Sequence, residues 1–316
     1  MAIRGLERGT GMRRVVPCLA ALSAIVLGAC GHITSSGAGA SPGAEATPGA
    51  TARAATQKLF DPKSFSSGTK VDNKYYPLVP GAQLVLEGEA TRAAGRQPHR
   101  LVLTVTDLTK VIDGVTTRVI WDVDTNDGVL AEAELAFHAQ DDHGNVWNLG
   151  EYPEEYEAGK FKGAPSTWLT GFQRAEAGII MPADPTRTEP PSYLQGFAPA
   201  VNFMDEAQTS KTAQATCVPA KCYDDVLVVD EWIPGNPSDG HQLKFYAPGV
   251  GNVRVDFKGG DEEESLVLKS ARMLTPAELA TVRVEALKLD HHGYEVNKDY
   301  AQTAPAQASP GAPPGA

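Results

Sequence analysis

The sequence predicts a mainly β (α+β) fold: an antiparallel sheet with one C-terminal helix. Three observations predict it. Apolar residues alternate at period two through Leu84 and Leu86, through Leu101, Leu103 and Val105, through Val119, Trp121 and Val123, and again at Leu135 and Phe137 and at Val226 and Val228. That period is what a sheet with one buried face requires. Turn signals fall between the runs: Asp113-Gly114, Asp127-Gly128, His143-Gly144-Asn145, Gly159-Lys160 and Gly259-Gly260. Gly and Asn accept the positive φ that tight hairpins demand, so an antiparallel meander fits better than βαβ units. Only one stretch carries a full helix signature, beginning at Thr275.

Residues 1–29 read as a signal peptide. Arg13 and Arg14 precede an apolar run from Val15 to Leu27, too short to span a bilayer, which takes about 20 residues. The run closes on Leu27-Gly28-Ala29-Cys30, which resembles the bacterial lipobox. That resemblance implies a diacylglycerol on the Cys30 thiol, cleavage before Cys30 and acylation of the new amine with a palmitate-type chain. Sulfur is the nucleophile such chemistry needs. Two or more acyl chains hold a protein stably, where one holds it marginally. The expectation is a lipid-anchored protein outside the cytoplasm, with the bacterial cell membrane as its partner through Cys30. A start at Met12 would give a more compact leader, and Cys18 would leave with it.

The chain carries 28 basic and 39 acidic residues; beyond residue 29 there are 24 and 38, a balance of −14. A nucleic-acid partner needs a positive footprint, so none is expected. Cys217 and Cys222 remain as an even pair once Cys30 is acylated. Pro219 suits the second position of a tight turn between them, and an exported protein sits where disulfides persist. The reading is a structural disulfide at a hairpin tip, contributing about 2 kcal/mol by loop entropy. The alternatives are a redox or a metal role, although two Cys without a His pair make only half a zinc shell.

Residues 30–70 are rich in Ser, Gly, Ala, Pro and Thr and read as a disordered tether, with Phe60 and Phe65 as candidates to dock. Residues 71–295 read as a single antiparallel-β domain. Within it, the Pro- and Gly-rich residues 164–200 look like a long crossover between two sets of strands. Thr275-Pro276-Ala277-Glu278 places a hydroxyl at the N-cap, Pro at the first helical position and Glu at the third. Leu279, Val282, Ala286 and Leu289 then share a face, and Gly293 suits a terminator. Residues 296–316 read as a disordered Ala/Pro tail.

Candidate chemistry weighs lightly. Asp122, Asp124 and Asn126 alternate as calcium-loop oxygens do, but Asp127 stands where that loop needs Gly and Ala133 where it needs Glu, so a hairpin tip fits better. Asp141-Asp142-His143-Gly144-Asn145 reads as a turn, and the Asp261–Glu264 run as a solvated tip. Glu151, Glu154, Glu155 and Glu157 could supply a carboxylate pair, which only spatial separation defines. Ser238, Asp239 and His241 are sequence neighbours, whereas triad members meet in space. There is no G-x-S-x-G elbow. His291 and His292 point apart on a helix and suit its C-terminus. Gly249-Val250-Gly251 reads as a bend. No catalytic residue, metal or cofactor is expected, and the balance leans away from an enzyme.

Tyr75-Tyr76-Pro77-Leu78-Val79-Pro80-Gly81, Gly178-Ile179-Ile180-Met181-Pro182-Ala183 and Phe245-Tyr246-Ala247-Pro248-Gly249-Val250-Gly251 resemble motifs of uncharacterised exported bacterial proteins related to the TapB-like domains. So do Asp142-His143-Gly144-Asn145-Val146-Trp147 and Tyr223-Asp224-Asp225-Val226-Leu227. The resemblance implies a curved sheet or half-barrel and carries no activity with it. The expected function is that of a lipid-anchored envelope protein that binds an apolar small molecule, in a groove beneath the helix, or serves a structural role. The alternative is a secreted hydrolase or a cation-binding domain that uses acidic hairpin loops.

Overall fold

The computed structural model describes residues 49–309 except 67, 93–94, 188–190 and 262. The signal peptide and Cys30 lie outside the described residues. So do residues 31–48 of the expected tether.

Helix α1 (Ala50–Gln57) is followed by strands β1 (Ala82–Arg92), β2 (Gly95–Ile112), β3 (Val115–Asn126), β4 (Val129–Gln140) and β5 (Val146–Glu157). The short strands β6 (Lys160–Gly163) and β7 (Trp168–Leu169) come next, then β8 (Glu176–Met181) and β9 (Tyr193–Ala198). Strands β10 (Phe203–Cys217), β11 (Cys222–Trp232), β12 (His241–Ala247), β13 (Gly251–Lys258) and β14 (Glu264–Met273) lead to helix α2 (Pro276–Val296) and strand β15 (Gln307–Ala308).

All pairings are antiparallel, in the order β1-β14-β13-β12-β11-β10-β9-β8-β5-β4-β3-β2, and β2 pairs back onto β1. The sheet is antiparallel and curved as expected, and it closes into a twelve-stranded barrel where the expectation stopped at a curved sheet or half-barrel. Closure follows from β1, which hydrogen-bonds on both edges: Leu86 pairs with Leu101 on β2 and with Leu268 on β14. Among the described residues the twelve staves of the ring leave no open edge between them.

The turns are those the sequence marks. Asp113-Gly114 (φ 48° and 78°) joins β2 to β3, and Asp127-Gly128 (φ 49° and 74°) joins β3 to β4. The stretch 164–200 differs from expectation. It holds β7, β8 and β9, and the latter two are staves of the barrel. Its glycines serve close strand contact: a Cβ on Gly178 would stand 2.1 Å from the Gln195 carbonyl carbon.

The C-terminal helix begins with a complete capping box. Thr275 Oγ1 accepts from the Glu278 amide at 3.3 Å, and Glu278 Oε2 accepts from the Thr275 amide at 2.8 Å. Gly293 does not end the helix, which runs on to Val296. It gives room instead to Tyr300, whose ring atoms would lie 2.7 Å from a Cβ there.

Both expected disordered segments contribute to the core in their described parts. Phe60 lies 5.1 Å from the Trp147 ring, with Phe65 against both, so the two phenylalanines do dock. In α1, Arg53 Nε donates to Glu176 at 2.7 Å and Gln57 Nε2 donates to the Ala177 carbonyl at 2.7 Å. At the other end Tyr300 is fully buried and β15 pairs with β2. Low mean hydropathy conceals these few anchors.

Candidate functional site

Strands β3, β4 and β5 present two unlike faces. Leu135 pairs with Tyr152 and with Trp121, and Val119 pairs with Phe137. These residues pack with Ala286 and Leu289 of α2 and the Tyr300 ring in the core. Tyr300 stands 4.6 Å from the Tyr152 ring and 6.1 Å from that of Phe137. The space expected to form an apolar groove is thus packed with rings.

The opposite face of the same strands points into the barrel and is acidic. Asp122 pairs with Glu134, and Asp124 with Glu132. Across the next ladder Glu132 pairs with Glu155, and Ala136 with Glu151. On the far side of the ring Ala207 lies between Tyr193 and Glu231, and Val229 is opposite Lys244. Lys244 Nζ is 2.6 Å from Glu231 Oε2, and Gln195 Nε2 donates to Glu231 Oε1 at 3.1 Å. Distant staves feel each other through the interior: Asp122 is influenced by Glu264 and Lys244, and Asp205 by Glu231, Lys244 and Glu151.

The electrostatics follow from that crowding. Burial pushes the Asp122 carboxyl up to about 7, helped by Glu264 and opposed by the Val123 amide and Lys244. Burial, then neighbouring carboxylates, raise Asp124, Glu132 and Glu134 well above the usual range. Burial also raises Glu151, against hydrogen bonds from Asn148 (2.6 Å) and Trp168 (3.0 Å). Lys244 is opposed by burial, yet the nearby Glu231 carries it above the ordinary lysine value. Asp122 and Asp205 keep part of their surface accessible, although burial dominates their titration.

At one end of this interior His99 stands 3.1 Å from Asp124 Oδ1 and 3.5 Å from Glu264 Oε2, and Arg92 stands 3.4 Å from Glu264. Elsewhere within it, the Tyr76 hydroxyl is 3.2 Å from His138 Nδ1, and the Tyr76 and Tyr246 rings are 6.0 Å apart. Burial drives His138 down to about 3, so it is a neutral imidazole.

The residues singled out from sequence are distributed as follows. Asp141 caps its own turn, accepting from the His143 and Asn145 amides and from Trp147 Nε1. The glutamate cluster divides: Glu151 and Glu155 face inward, Glu154 lies under α2, and Glu157 pairs with Lys162 at the surface. His292 does more than suit a helix end, because its Nδ1 meets Glu154 Oε1 at 2.6 Å. Ser238 bonds Asn236 while His241 meets Asp230 at 2.5 Å, so Ser238, Asp239 and His241 form no triad. Cys217 and Cys222 are disulfide-bonded across the β10–β11 hairpin. Among the described residues no group of three His, Cys, Asp or Glu side chains is placed to hold a metal ion.

The carboxylates that crowd together lie in strands facing inward, not in hairpin loops. One signal was available. A hairpin around Asp127-Gly128 sets Asp122 opposite Glu134 and Asp124 opposite Glu132, and like charges directly opposite are destabilising.

No family model matches the chain, and no curated protein matches it. Two solved structures are similar. One is a Bacteroides fragilis protein described as exported with a YmcC-like fold, 13% identical, with 63% of this chain and 99% of that chain covered and a TM-score of 0.33. The other, from Parabacteroides distasonis and described as a lipoprotein, is 14% identical with the same coverage and a TM-score of 0.30. Likeness at this level carries no argument about fold or function. Among the described residues no helix is long and apolar enough to cross a membrane.

Proposed function

We propose that the chain is an extracytoplasmic protein, tethered to the bacterial membrane by lipid on Cys30, that binds a polar ligand inside its barrel. The leader, the Leu27–Cys30 tetrapeptide and the oxidised Cys217–Cys222 pair support the address. The observation that carries the binding role is the inward acidic face of β3–β5. Such burial is costly, so a sequence that keeps it has a use for it. The groove expected beneath α2 is filled by Tyr300, Phe137 and Tyr152, so an apolar ligand finds no room at that place. The barrel's outer wall carries ion pairs such as Glu87–Arg100 and Arg254–Asp256. That is the reverse of the apolar band a membrane-spanning barrel presents.

Two measurements test this reading. Intact-mass analysis of the protein from membranes is expected to give a chain beginning at an acylated Cys30; an unmodified thiol would refute the anchor. Native mass spectrometry is expected to find a polar small molecule that leaves when Glu134 and Glu151 are replaced by Gln. A lipid bound equally by that variant would refute the polar interior as the ligand compartment.

A further inference from the structure

We infer that the ligand is a linear organic polycation of the polyamine class, lying along the barrel between the carboxylates of β3–β5 and those of β10–β12. This rests on the interior being the ligand compartment.

The first observation is carboxylate oxygen left without a partner. Asp122 Oδ1 is buried with no hydrogen-bond partner, while Lys244 pairs with Glu231 and feels Asp205 and Glu264 as well. Lys244 shows the chemistry in miniature, an alkylammonium held at 2.6 Å by a carboxylate on the interior face.

The second is independent of the acidic charge. Tyr193 is 8% exposed and its hydroxyl has no hydrogen-bond partner, although it shares the inward face with Glu231 across Ala207. Glu155, 6% exposed, likewise has a buried Oε1 with no partner. Buried polar atoms are normally satisfied, so these await a donor. An ammonium supplies several N–H donors to carboxylate and hydroxyl oxygens alike.

The third is spacing. Residues two apart on one strand face stand roughly 7 Å apart. Asp122 and Asp124, and Glu132 and Glu134, thus form rows of charge rather than a knot. A divalent metal needs oxygens that converge at about 2–2.6 Å. Rows suit a chain of ammonium groups separated by short alkyl spacers, with the Tyr76 and Tyr246 rings offering faces to the chain or its charges.

The test is calorimetric titration of the full mature chain with spermidine, with calcium chloride and with glucose, at pH 8. Saturable spermidine binding is expected, weakened roughly ten- to hundredfold in Asp122→Asn and in Glu134→Gln. Tyr193→Phe should weaken it less, and Glu87→Gln on the outer wall should leave it unchanged. Calcium binding more tightly than spermidine, or glucose alone binding, with either lost in Glu134→Gln, would overturn the polyamine inference while leaving the interior as the compartment. Binding of any of the three that ignores both interior variants would overturn the compartment too. Because these variants neutralise buried acids, they should fold, and circular dichroism checks that they do.

Discussion

The two faces of β3, β4 and β5 are built from adjacent residues and do opposite things. Leu135, Phe137 and Tyr152 are dry and locked under α2. Glu134 and Glu151, one residue away from Leu135 and Tyr152, and Asp122, paired with Glu134, look into the barrel with titrations displaced first by burial. Alternation alone says only that one face is apolar. What decides which face is inside is the element that covers the apolar one, and here a helix covers it from outside.

The packed side should break hardest. Lys110 Nζ is buried with three partners, Asp290 at 2.9 Å, the Tyr294 hydroxyl at 2.7 Å and the Ala304 carbonyl at 2.8 Å. Lys110→Ala would leave the buried Asp290 carboxylate without its counter-charge, and urea unfolding should show a loss of about 3–5 kcal/mol. A loss under about 1 kcal/mol would mean that α2 and the C-terminal segment do not seal this face.

The acidic side should respond in the other direction. The folded Asp122 holds its proton up to about 7, whereas the unfolded chain loses it near 4. The raised value stabilises the fold at low pH, and that contribution is lost as pH rises through 7. Asp122→Asn should therefore gain roughly 2–4 kcal/mol over wild type at pH 8, and little at pH 4. A gain that is the same at both pH values would contradict the titration.

His138 opposes this trend. It stays neutral down to about 3 in the fold, while the unfolded chain takes up its proton near 6.5. Its contribution is full above that value and is lost as pH falls toward 3. His138→Gln should flatten the acid limb of the stability profile; an unchanged limb would show that the imidazole is solvated. The smallest effect is expected at the helix cap, where Thr275→Ala should cost about 1 kcal/mol in thermal or urea unfolding.

Much of this fold is legible in the sequence. The period-two runs, the Asp-Gly turns, the capping box at Thr275 and the Cys217–Cys222 hairpin depend on local chemistry and appear where the residues put them. Closure does not, because it depends on β1 meeting β2 and β14 across long separations. The staves β8 and β9 hid in a Pro- and Gly-rich stretch whose glycines serve strand contact as well as turns. The anchoring roles of Phe60 and Tyr300 were masked by the low-complexity residues around them. The interior acids were visible as residue types, but only a closed ring turns them from a solvated face into a compartment.

The most direct test of that compartment is a carbon-13 NMR titration of the Asp122 side-chain carboxyl, assigned by its loss in Asp122→Asn. A midpoint near 7 is expected for a carboxyl facing the enclosed, acid-lined interior. A midpoint near the ordinary aspartate value of about 4 would mean that this face meets bulk water, and the binding role argued from it would fail.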